Sequence, residues 1–285
     1  MNMRAAQIQK YSKKIQVELN DVDMPQINNH EVLVKVKAAG VNPLDILNLN
    51  GSVRMIADYK LPLTLGNELS GVIEAAAVPL TALTAYQALH DVLHVQPNKK
   101  LFIPGGTGGF GAMAIPIAKS LGLFVITSGS ERGRLRILSI GADQFINYKT
   151  ENYANILSDI DYVIDTLGTK EIKAELGILK PQGKLVSLKA GPNYRFAVDN
   201  RFPLWKKALF GLVGARLDSL ARKNQNEYRF LFVQANGSQL QEITKLVEKE
   251  NIKPSIDSTY TFGDINKALI NVSTGHSQGK VIVTF

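Results

Sequence analysis

The chain has 285 residues, of which 45% are hydrophobic, and a formal net charge of +8 at pH 7. This length and composition predict a globular protein of one large domain or two domains. The absence of cysteine excludes disulfide bonds, thiolate catalysis and cysteine-based zinc sites. The lysines and arginines are scattered and accompany no nucleic-acid motif, so we expect no specific nucleic-acid partner.

No window of the sequence approaches the ~20 apolar residues of a membrane span. The N-terminus also lacks the apolar stretch of a signal peptide. With the absence of cysteine, these features predict a cytoplasmic protein that has no membrane-spanning segment.

The first part of the chain has the pattern of strands. Residues 3 to 37 alternate between apolar and polar side chains, most clearly over residues 31–37. Asn42-Pro-Leu-Asp45 predicts a short helix or turn, because proline presets its own φ and Asn and Asp favour caps. Residues 61–71 are predicted to form a loop that leads into a strand, and residues 81–95 have helical periodicity.

From residue 100 onwards, short strands alternate with helices. The first strand begins at Lys100 and leads into a glycine turn. Four more are predicted over residues 123–127, 144–147, 162–165 and 184–188, a sixth at 230–234, and a helix at 239–250. This rhythm predicts a parallel sheet with helices on both faces. The chain then ends with a strand near Tyr260, a helix from Asp264 and a strand over residues 280–285.

A glycine motif follows the first strand of this series. Gly106, Gly108 and Gly111 have G-x-G-x-x-G spacing between an apolar strand and a helix. The first glycine permits a tight turn, the second lets a pyrophosphate approach the backbone, and the third lets the helix lie close to the sheet. The sequence therefore predicts a dinucleotide site, with the pyrophosphate at the helix N-terminus.

The residues after the second strand indicate which dinucleotide is bound. An NAD site usually places an acidic residue about 20 residues beyond the motif, on the ribose 2′-OH. Ser128 stands there instead, and Ser130 and Arg132 could hold a 2′-phosphate. Glu131 would repel that phosphate if it turned inward, and Arg132 has the alternative of a solvated residue that opens the next helix. We predict NADP(H) as the cofactor.

Several segments, in the same order, resemble the medium-chain dehydrogenase/reductase superfamily, in particular its zinc-independent quinone oxidoreductase branch. They are AGVNPLD (39–45), GNELSG (66–71), VPLTALTAYQA (78–88), the glycine turn (105–111), GADQFINY (141–148), DTLG (165–168) and GKLVS (183–187). The resemblance implies an α/β protein in which a Rossmann domain, a doubly wound parallel sheet, is joined to a GroES-like β-rich catalytic domain. We expect the Rossmann domain over residues 79–250 and the catalytic domain over residues 1–78 and 251–285.

Two departures from the family pattern are visible. In the family a long stretch separates the equivalents of Glu74 and Ala75, so part of the GroES-like barrel is expected to be missing, by deletion or by omission from this sequence. Zinc-dependent relatives carry a histidine immediately before the glutamate of the 66–71 motif, where this chain has Asn67. We therefore expect no metal. His90 and His94 have metal-like spacing, but two histidines without further ligands are more often surface residues.

The resemblance also implies which residues hold the cofactor. Backbone N–H groups near Gly108, Gly109 and Phe110 would bind the pyrophosphate. Tyr148 would lie with Ser128, Ser130 and Arg132 at the adenosine end, and Thr84 and Asn42 would lie near the nicotinamide. The alternatives are a helix-start hydroxyl for Thr84 and a packing aromatic for Tyr148.

The implied reaction is hydride transfer from NADPH to a small-molecule quinone or α,β-unsaturated carbonyl, by a homodimeric enzyme. Asn42 is the first candidate for a polar group near the reacting carbonyl and Tyr59 the second, since Leu47 stands where related reductases can carry a tyrosine. The alternative function is a non-catalytic NADPH-binding protein with a redox-sensing or stabilising role. The apolar and basic segment 202–216 is either a cleft lid or pocket wall, or an interfacial membrane helix.

Overall fold

The computed structural model describes residues 2–28, 33–71 and 74–285. The chain divides into two compact units. Unit 1 is Met1–Leu80 with Pro254–Phe285, and unit 2 is Thr81–Lys253. The corresponding boundaries predicted from the sequence are residues 78 and 250.

Short strands dominate the N-terminal part of unit 1. Its elements are β1 (Asn2–Ile8), β2 (Glu18–Asp23), β3 (Ala38–Val41), α1 (Pro43–Leu49), β4 (Leu63–Thr64), β5 (Leu69–Ser70) and the first residues of α2 (Pro79–Tyr86). Helix α1 begins after Asn42, as the Asn-Pro-x-Asp pattern predicts, with Pro43 in its first turn.

The predicted strand over residues 31–37 is wrong within the described part of the chain. Residues 33–37 form no strand, and β3 begins only at Ala38. Residues 29–32 lie outside the described residues. The alternation of Leu33 to Lys37 suits a strand, but a strand needs a neighbour for its backbone groups. Among the described residues 33–37, only Lys37 has such partners: its N–H donates to Ser70 and its carbonyl accepts from Phe285. Leu33 and Val34 are exposed.

Unit 2 alternates strands and helices, as predicted. After α2 comes a π-helical segment (Gln87–Leu93), and the remaining elements are β6 (Lys100–Ile103), α3 (Gly109–Ser120), β7 (Phe124–Gly129), α4 (Arg134–Ser139), β8 (Gln144–Asn147), α5 (Tyr153–Ile156), β9 (Ile160–Asp165), α6 (Ile172–Gly177), β10 (Leu179–Ser187), α7 (Tyr194–Asp199), α8 (Leu204–Lys223), β11 (Glu227–Phe230) and α9 (Gly237–Lys249).

These strands form one six-stranded parallel sheet in the order β11-β10-β9-β6-β7-β8. This is the Rossmann order, in which the strand sequence reverses between β6 and β9. Ligands of such sheets bind at the carboxyl ends of the strands beside that reversal. The predicted doubly wound α/β fold is confirmed.

The sixth strand lies earlier than predicted. It is Glu227–Phe230, not residues 230–234. Beyond it, the side chain of Gln87 accepts a hydrogen bond from the backbone N–H of Gln234 (3.0 Å) and donates one to its carbonyl (2.8 Å). These are the groups that a sheet ladder would use, so a glutamine from the π-helical segment replaces a strand partner here.

The C-terminal segment completes unit 1. It contains β12 (Ile256–Thr261), α10 (Ile265–Ser273) and β13 (Lys280–Thr284). The unit has a three-stranded sheet, β2-β1-β4, and a four-stranded sheet, β12-β13-β3-β5. Strand β13 therefore pairs with β3 from the other end of the chain, and its Val281 and Val283 pack with Val41, Leu49 and Leu269 in one core.

Candidate functional site

The glycine turn joins β6 to α3 in unit 2. Gly105 has φ +69°, which a residue with a side chain rarely adopts. A Cβ on Gly111 would lie 2.1 Å from the carbonyl oxygen of Gly106, so only glycine lets α3 approach the turn so closely. Helix α3 starts after Gly108. Its first N–H groups, on Gly109 and Phe110, therefore form a positively polarised helix end.

Strand β7 packs directly against this turn. A Cβ on Gly106 would lie 1.9 Å from the hydroxyl of Thr127, which donates a 2.7 Å hydrogen bond to Ile103. Ser128 is buried, its carbonyl accepts from the N–H of Gly106 (3.0 Å), and its hydroxyl accepts from Gly105 (3.3 Å). Ser128 thus braces the glycine turn and keeps its O–H proton free for another acceptor.

Glu131, the acidic residue just after β7, already has a positively charged partner. Glu131 forms an ion pair with Arg134 at 2.7 Å and accepts a longer hydrogen bond from Asn147. Ser130 precedes it at the end of β7, and the backbone N–H of Tyr148 donates to Gly129 at 3.2 Å. The structure therefore brings Ser130, Arg132 and the exposed Tyr148 to neighbouring strand ends.

Two arginines beside these residues have unused donors. The guanidinium of Arg132 is exposed and has no hydrogen bond or ion pair with any described residue. Arg136 donates one hydrogen bond from Nη2 to the carbonyl of Thr107 (2.5 Å), whereas its buried Nη1 has no partner. Burial lowers the pKa of Arg136 from its usual value. The sequence analysis missed Arg136, which lies in α4, four residues after Arg132 in the turn that precedes this helix.

A buried aspartate organises the strand ends on the other side of the reversal point. One carboxylate oxygen of Asp165 accepts from the N–H groups of Leu167 (2.7 Å) and Gly168 (2.8 Å), and the other accepts from the Ser187 hydroxyl (2.5 Å). Thr166 donates to the carbonyl of Pro104 at 2.7 Å, immediately before the glycine turn. These bonds fix the ends of β9 and β10 relative to β6.

Unit 1 contains a separate polar group that we call the buried ionic cluster; its members are Asn42, Asp45, Asn67, Glu68 and Lys280. The ammonium of Lys280 contacts Oε1 of Glu68 and Oδ1 of Asn42, each at 2.5 Å. The amide of Asn42 in turn donates to Oε1 of Glu68 at 2.8 Å. Both ends of the Asn42 side chain are therefore occupied. Glu68 lies so close to β3 that a Cβ on Gly40 would be 2.2 Å from its Oε1.

Asp45 is the second carboxyl of the cluster. It accepts from the backbone N–H of Asn42 (2.8 Å) and from the amide of Asn67 (2.6 Å). Burial, followed by the charge of Glu68, raises the pKa of Asp45 to about 7. One cation cannot neutralise two carboxylates, so the surplus carboxyl tends to hold its proton. Asn67, which stands where zinc-dependent relatives carry a histidine, thus has its amide hydrogen-bonded to the carboxyl group of Asp45.

Four other residues were singled out by the sequence. Tyr59 is partly exposed and its carbonyl accepts from the hydroxyl of Tyr11. Thr84 lies half-buried on α2 in unit 2. His90 stacks on Tyr86, and His94 ends the π-helical segment with φ +50°. Across the described ranges no three His, Asp or Glu side chains are grouped as metal ligands, and none of the helices there is long and apolar enough to cross a membrane.

Comparison with known families agrees with this architecture. Residues 140–283 match the family model described as zinc-binding dehydrogenase, and residues 28–96 match the alcohol dehydrogenase GroES-like domain. The first match alone covers half of the chain. This chain belongs to the medium-chain dehydrogenase/reductase superfamily. The family and the two domain types expected from the motifs are therefore confirmed.

Individual relatives of this superfamily member are oxidoreductases. The mouse mitochondrial NAD(P)H oxidoreductase RTN4IP1 is 26% identical over 352 residues, covering 99% of this chain and 89% of that protein. The tomato (Solanum lycopersicum) 2-methylene-furan-3-one reductase is 24% identical over 326 residues, covering 93% of this chain and 74% of that protein. The structure of the quinone oxidoreductase from Coxiella burnetii superposes with a TM-score of 0.82 at 24% identity, with 100% of each chain covered.

The alignment with the mouse protein is longer than this chain, so that relative carries residues without a counterpart here. The sequence analysis placed such a gap at the junction of Glu74 and Ala75. Val72 and Ile73, directly before that junction, lie outside the described residues.

Proposed function

We propose that this protein is an NADPH-dependent reductase that transfers hydride to a quinone or an α,β-unsaturated carbonyl compound without zinc. The observation that carries the proposal is the pair of arginines, Arg132 and Arg136, which follow β7 and have guanidinium donors without a partner among the described residues. In a Rossmann fold this is where the adenosine ribose of the cofactor binds. A 2′-phosphate would supply the acceptors that these donors lack.

The other residues that follow β6, β7 and β8 are suited to bind the phosphate groups of a dinucleotide. Gly108 and Gly109 place no side chain at the start of α3, so the N–H groups of Gly109 and Phe110 can bind a pyrophosphate. Glu131 does not oppose a 2′-phosphate, because Arg134 neutralises it. Ser128, Ser130 and Tyr148 offer hydroxyl donors. Bound NADPH would supply the hydride, and these residues would orient it.

We propose a reaction without zinc because of the residues in the buried ionic cluster. Asn67 replaces the histidine of zinc-dependent relatives and is bonded to Asp45, and the chain has no cysteine. Asn42 and Tyr59 remain the candidates for a donor to the substrate oxygen. Because the amide of Asn42 donates to Glu68, it would act on a substrate only by giving up that bond.

The proposal is tested by following NADPH absorbance with 1,4-benzoquinone, 9,10-phenanthrenequinone and a simple enone, with NADH in parallel and with a zinc chelator. We expect acceptor-dependent oxidation that favours NADPH and is insensitive to the chelator. Saturable NADPH binding without oxidation would instead support the non-catalytic NADPH-binding protein. The names of the mouse and tomato relatives favour the reductase.

The arginine pair has its own test. The double variant Arg132→Met/Arg136→Met is expected to raise the KM for NADPH at least tenfold and to leave the KM for NADH nearly unchanged. Arg222→Met, which removes an exposed cation of the same unit, serves as the matched control. An equal loss with both cofactors would contradict a role in binding the 2′-phosphate.

A further inference from the structure

Helix α8 has apolar side chains on both of its sides. One side packs into unit 2 through Phe210, Gly214, Leu217 and Ala221. This contact is tight, since a Cβ on Gly214 would lie 2.6 Å from the Cα of Asn193. A surface helix normally has a polar outer side. The outer side of α8 is exposed but apolar, so it is suited to contact an apolar environment.

The exposed side forms one surface, which we call the α8 patch; its members are Tyr194, Leu204, Trp205, Leu209, Leu212 and Val213. Leu204 is 83% exposed, Trp205 58%, Leu212 79% and Val213 61%. At 100° per residue these positions of α8 span half of the helix circumference. Tyr194 of α7 extends the patch, because it lies against Gly211. From these exposed fractions the patch amounts to roughly 600 Å², the upper limit of what a monomer normally leaves uncovered.

Two lysines flank the α8 patch. Lys206 and Lys207 directly follow Trp205 in the first turns of the helix. At 100° per residue, Lys206 lies on the border nearer to Val213 and Lys207 on the border nearer to Leu204. The apolar stem of a lysine can extend along such a border while its ammonium reaches beyond it. The patch therefore has an apolar centre between two positive charges.

The chain carries no negative charge in this segment. Residues 200–217 contain four cations, at positions 201, 206, 207 and 216, and no aspartate or glutamate. The acidic residue that precedes the segment, Asp199, is already paired with Arg195 at 3.1 Å and with Arg229 at 3.2 Å. The border of the patch is thus positive, and it attracts a negatively charged partner.

We infer that the α8 patch binds the surface of an anionic lipid bilayer. Helices that lie in a membrane surface place tryptophan and leucine about 5–10 Å deep in the lipid and keep lysine and arginine beside them. The patch has this composition. The indole N–H of Trp205 and the hydroxyl of Tyr194 suit the headgroup level, where amphipathic rings are enriched. The lysines at the border would contact the anionic headgroups.

A partner protein fits the same patch less well. A stable protein–protein interface buries about 800 Å² on each partner and has a polar rim with paired hydrogen bonds. The α8 patch is smaller, and its border on α8 offers cations alone. The inference concerns lipid binding, so its outcome does not depend on the proposed reductase activity.

The experiment uses the full chain and measures its sedimentation with lipid vesicles. One set is phosphatidylcholine alone, and the other is phosphatidylcholine and phosphatidylserine in a two-to-one ratio. We expect at least tenfold tighter binding to the mixed vesicles, weakened by added salt. Since Trp205 is the only tryptophan, its emission should shift to shorter wavelength on binding and be quenched by brominated lipid.

A leucine variant tests the apolar centre of the patch. Leu212→Glu places a carboxylate there and is expected to weaken binding to the mixed vesicles at least tenfold. The matched control is Leu135→Glu on α4, a leucine that is 82% exposed outside the patch. It introduces the same charge and should bind as the unaltered protein does. Circular dichroism of each variant checks that it folds.

A lysine variant tests the positive border, and it also carries the test if Leu212→Glu does not fold. Lys206→Gln/Lys207→Gln should weaken binding to the mixed vesicles about 25-fold, because each basic residue at an anionic surface contributes about fivefold. It should leave binding to phosphatidylcholine alone unchanged. The matched control, Lys245→Gln/Lys253→Gln, removes two exposed lysines elsewhere in unit 2 and should have little effect.

Several results would overturn the inference. They are the absence of vesicle binding, equal binding to the two lipid compositions, binding that persists in Leu212→Glu, and an equal loss of binding in Leu135→Glu. Self-association of the unaltered protein that Leu212→Glu abolishes, seen by light scattering and without vesicle binding, would also overturn it. That result would assign the patch to a second copy of the chain.

Discussion

Asp45 links the stability of unit 1 to pH. Its pKa is raised from 3.8 to about 7, mainly by burial. The folded protein therefore binds a proton that the unfolded chain releases, and the resulting stability is present below about pH 4 and lost as pH rises to about 7. Three pH units correspond to roughly 4 kcal/mol of unfolding free energy.

The isosteric variant Asp45→Asn tests this linkage, because its amide resembles the protonated acid. Its unfolding free energy in urea should fall less steeply between pH 4 and pH 7 than that of the unaltered protein, because the contribution of Asp45 is removed. It should also exceed that of the unaltered protein at pH 8. Parallel pH curves for the two proteins would show that Asp45 is ionised throughout.

Glu175 is a second buried carboxyl, in unit 2. Neither of its oxygens has a hydrogen-bond partner among the described residues, and burial raises its pKa to about 10. As a neutral acid it can donate to the neighbouring Asp165. We expect Glu175→Gln to match the unaltered protein in stability near pH 4, to exceed it by a growing margin as pH rises from about 4.5 to about 10, and to keep that margin at higher pH. A protonated-carboxyl infrared band at pH 8 should disappear in this variant; a spectrum unchanged by the substitution would contradict a neutral Glu175.

The structural roles of some single residues can be predicted from the neighbouring sequence, and those of others cannot. The roles of Gly106 and Gly111 follow from local backbone geometry, which a four- to six-residue pattern contains. The partner of Glu68 could not be predicted in this way, because Lys280 is more than 200 residues away in the chain. The free donor of Arg136 depends on a side-chain direction, and the sequence indicates only that Arg136 lies four residues after Arg132.

At the scale of elements, the approach of α3 to the glycine turn depends on the absence of one side chain. The methyl group of Gly111→Ala would lie 2.1 Å from the carbonyl oxygen of Gly106, so the helix or the turn must move. We expect a loss of about 1–3 kcal/mol in unfolding free energy and at least a tenfold weaker binding of NADPH.

Gly177→Ala at the end of α6 is the matched control, since a Cβ there meets nothing within 4 Å. It should bind NADPH as the unaltered protein does, as measured by quenching of Trp205 emission or by calorimetry. Tight NADPH binding by Gly111→Ala would contradict the argument that close approach requires glycine.

Elements were predictable where local pattern and tertiary pairing agree. The strand at residues 144–147 was predicted with its observed bounds, because its buried Phe145 and Ile146 lie in a sheet that the alternation of strands and helices already implies. Residues 33–37 have an equally good strand pattern and form none. The difference is the presence of a neighbouring strand, which no local pattern contains.

At the scale of the whole molecule, unit 1 is built from both ends of the chain. Strand β13 lies between β12 and β3, and Lys280 at its start is the only cation of the buried ionic cluster. The C-terminal segment thus supplies both a central strand and the charge that compensates Glu68. The ion pair between Lys280 and Glu68 could not be predicted from the family motifs, because none of them contains Lys280.

The variant Lys280→Met tests how much the ion pair between Lys280 and Glu68 stabilises unit 1. The substitution leaves the Glu68 carboxylate buried without its cation, which typically costs about 3–5 kcal/mol. Lys267→Met, which removes an exposed ion pair with Asp264, should lower the stability much less. Trp205 lies in unit 2, so its emission reports the unfolding of that unit, whereas circular dichroism reports both. In Lys280→Met we expect the dichroism to change at lower urea concentration than the emission, and Glu68→Gln in the same chain to recover part of the loss. Equal stability of the Lys280 and Lys267 variants would mean that strand pairing alone holds the two ends together.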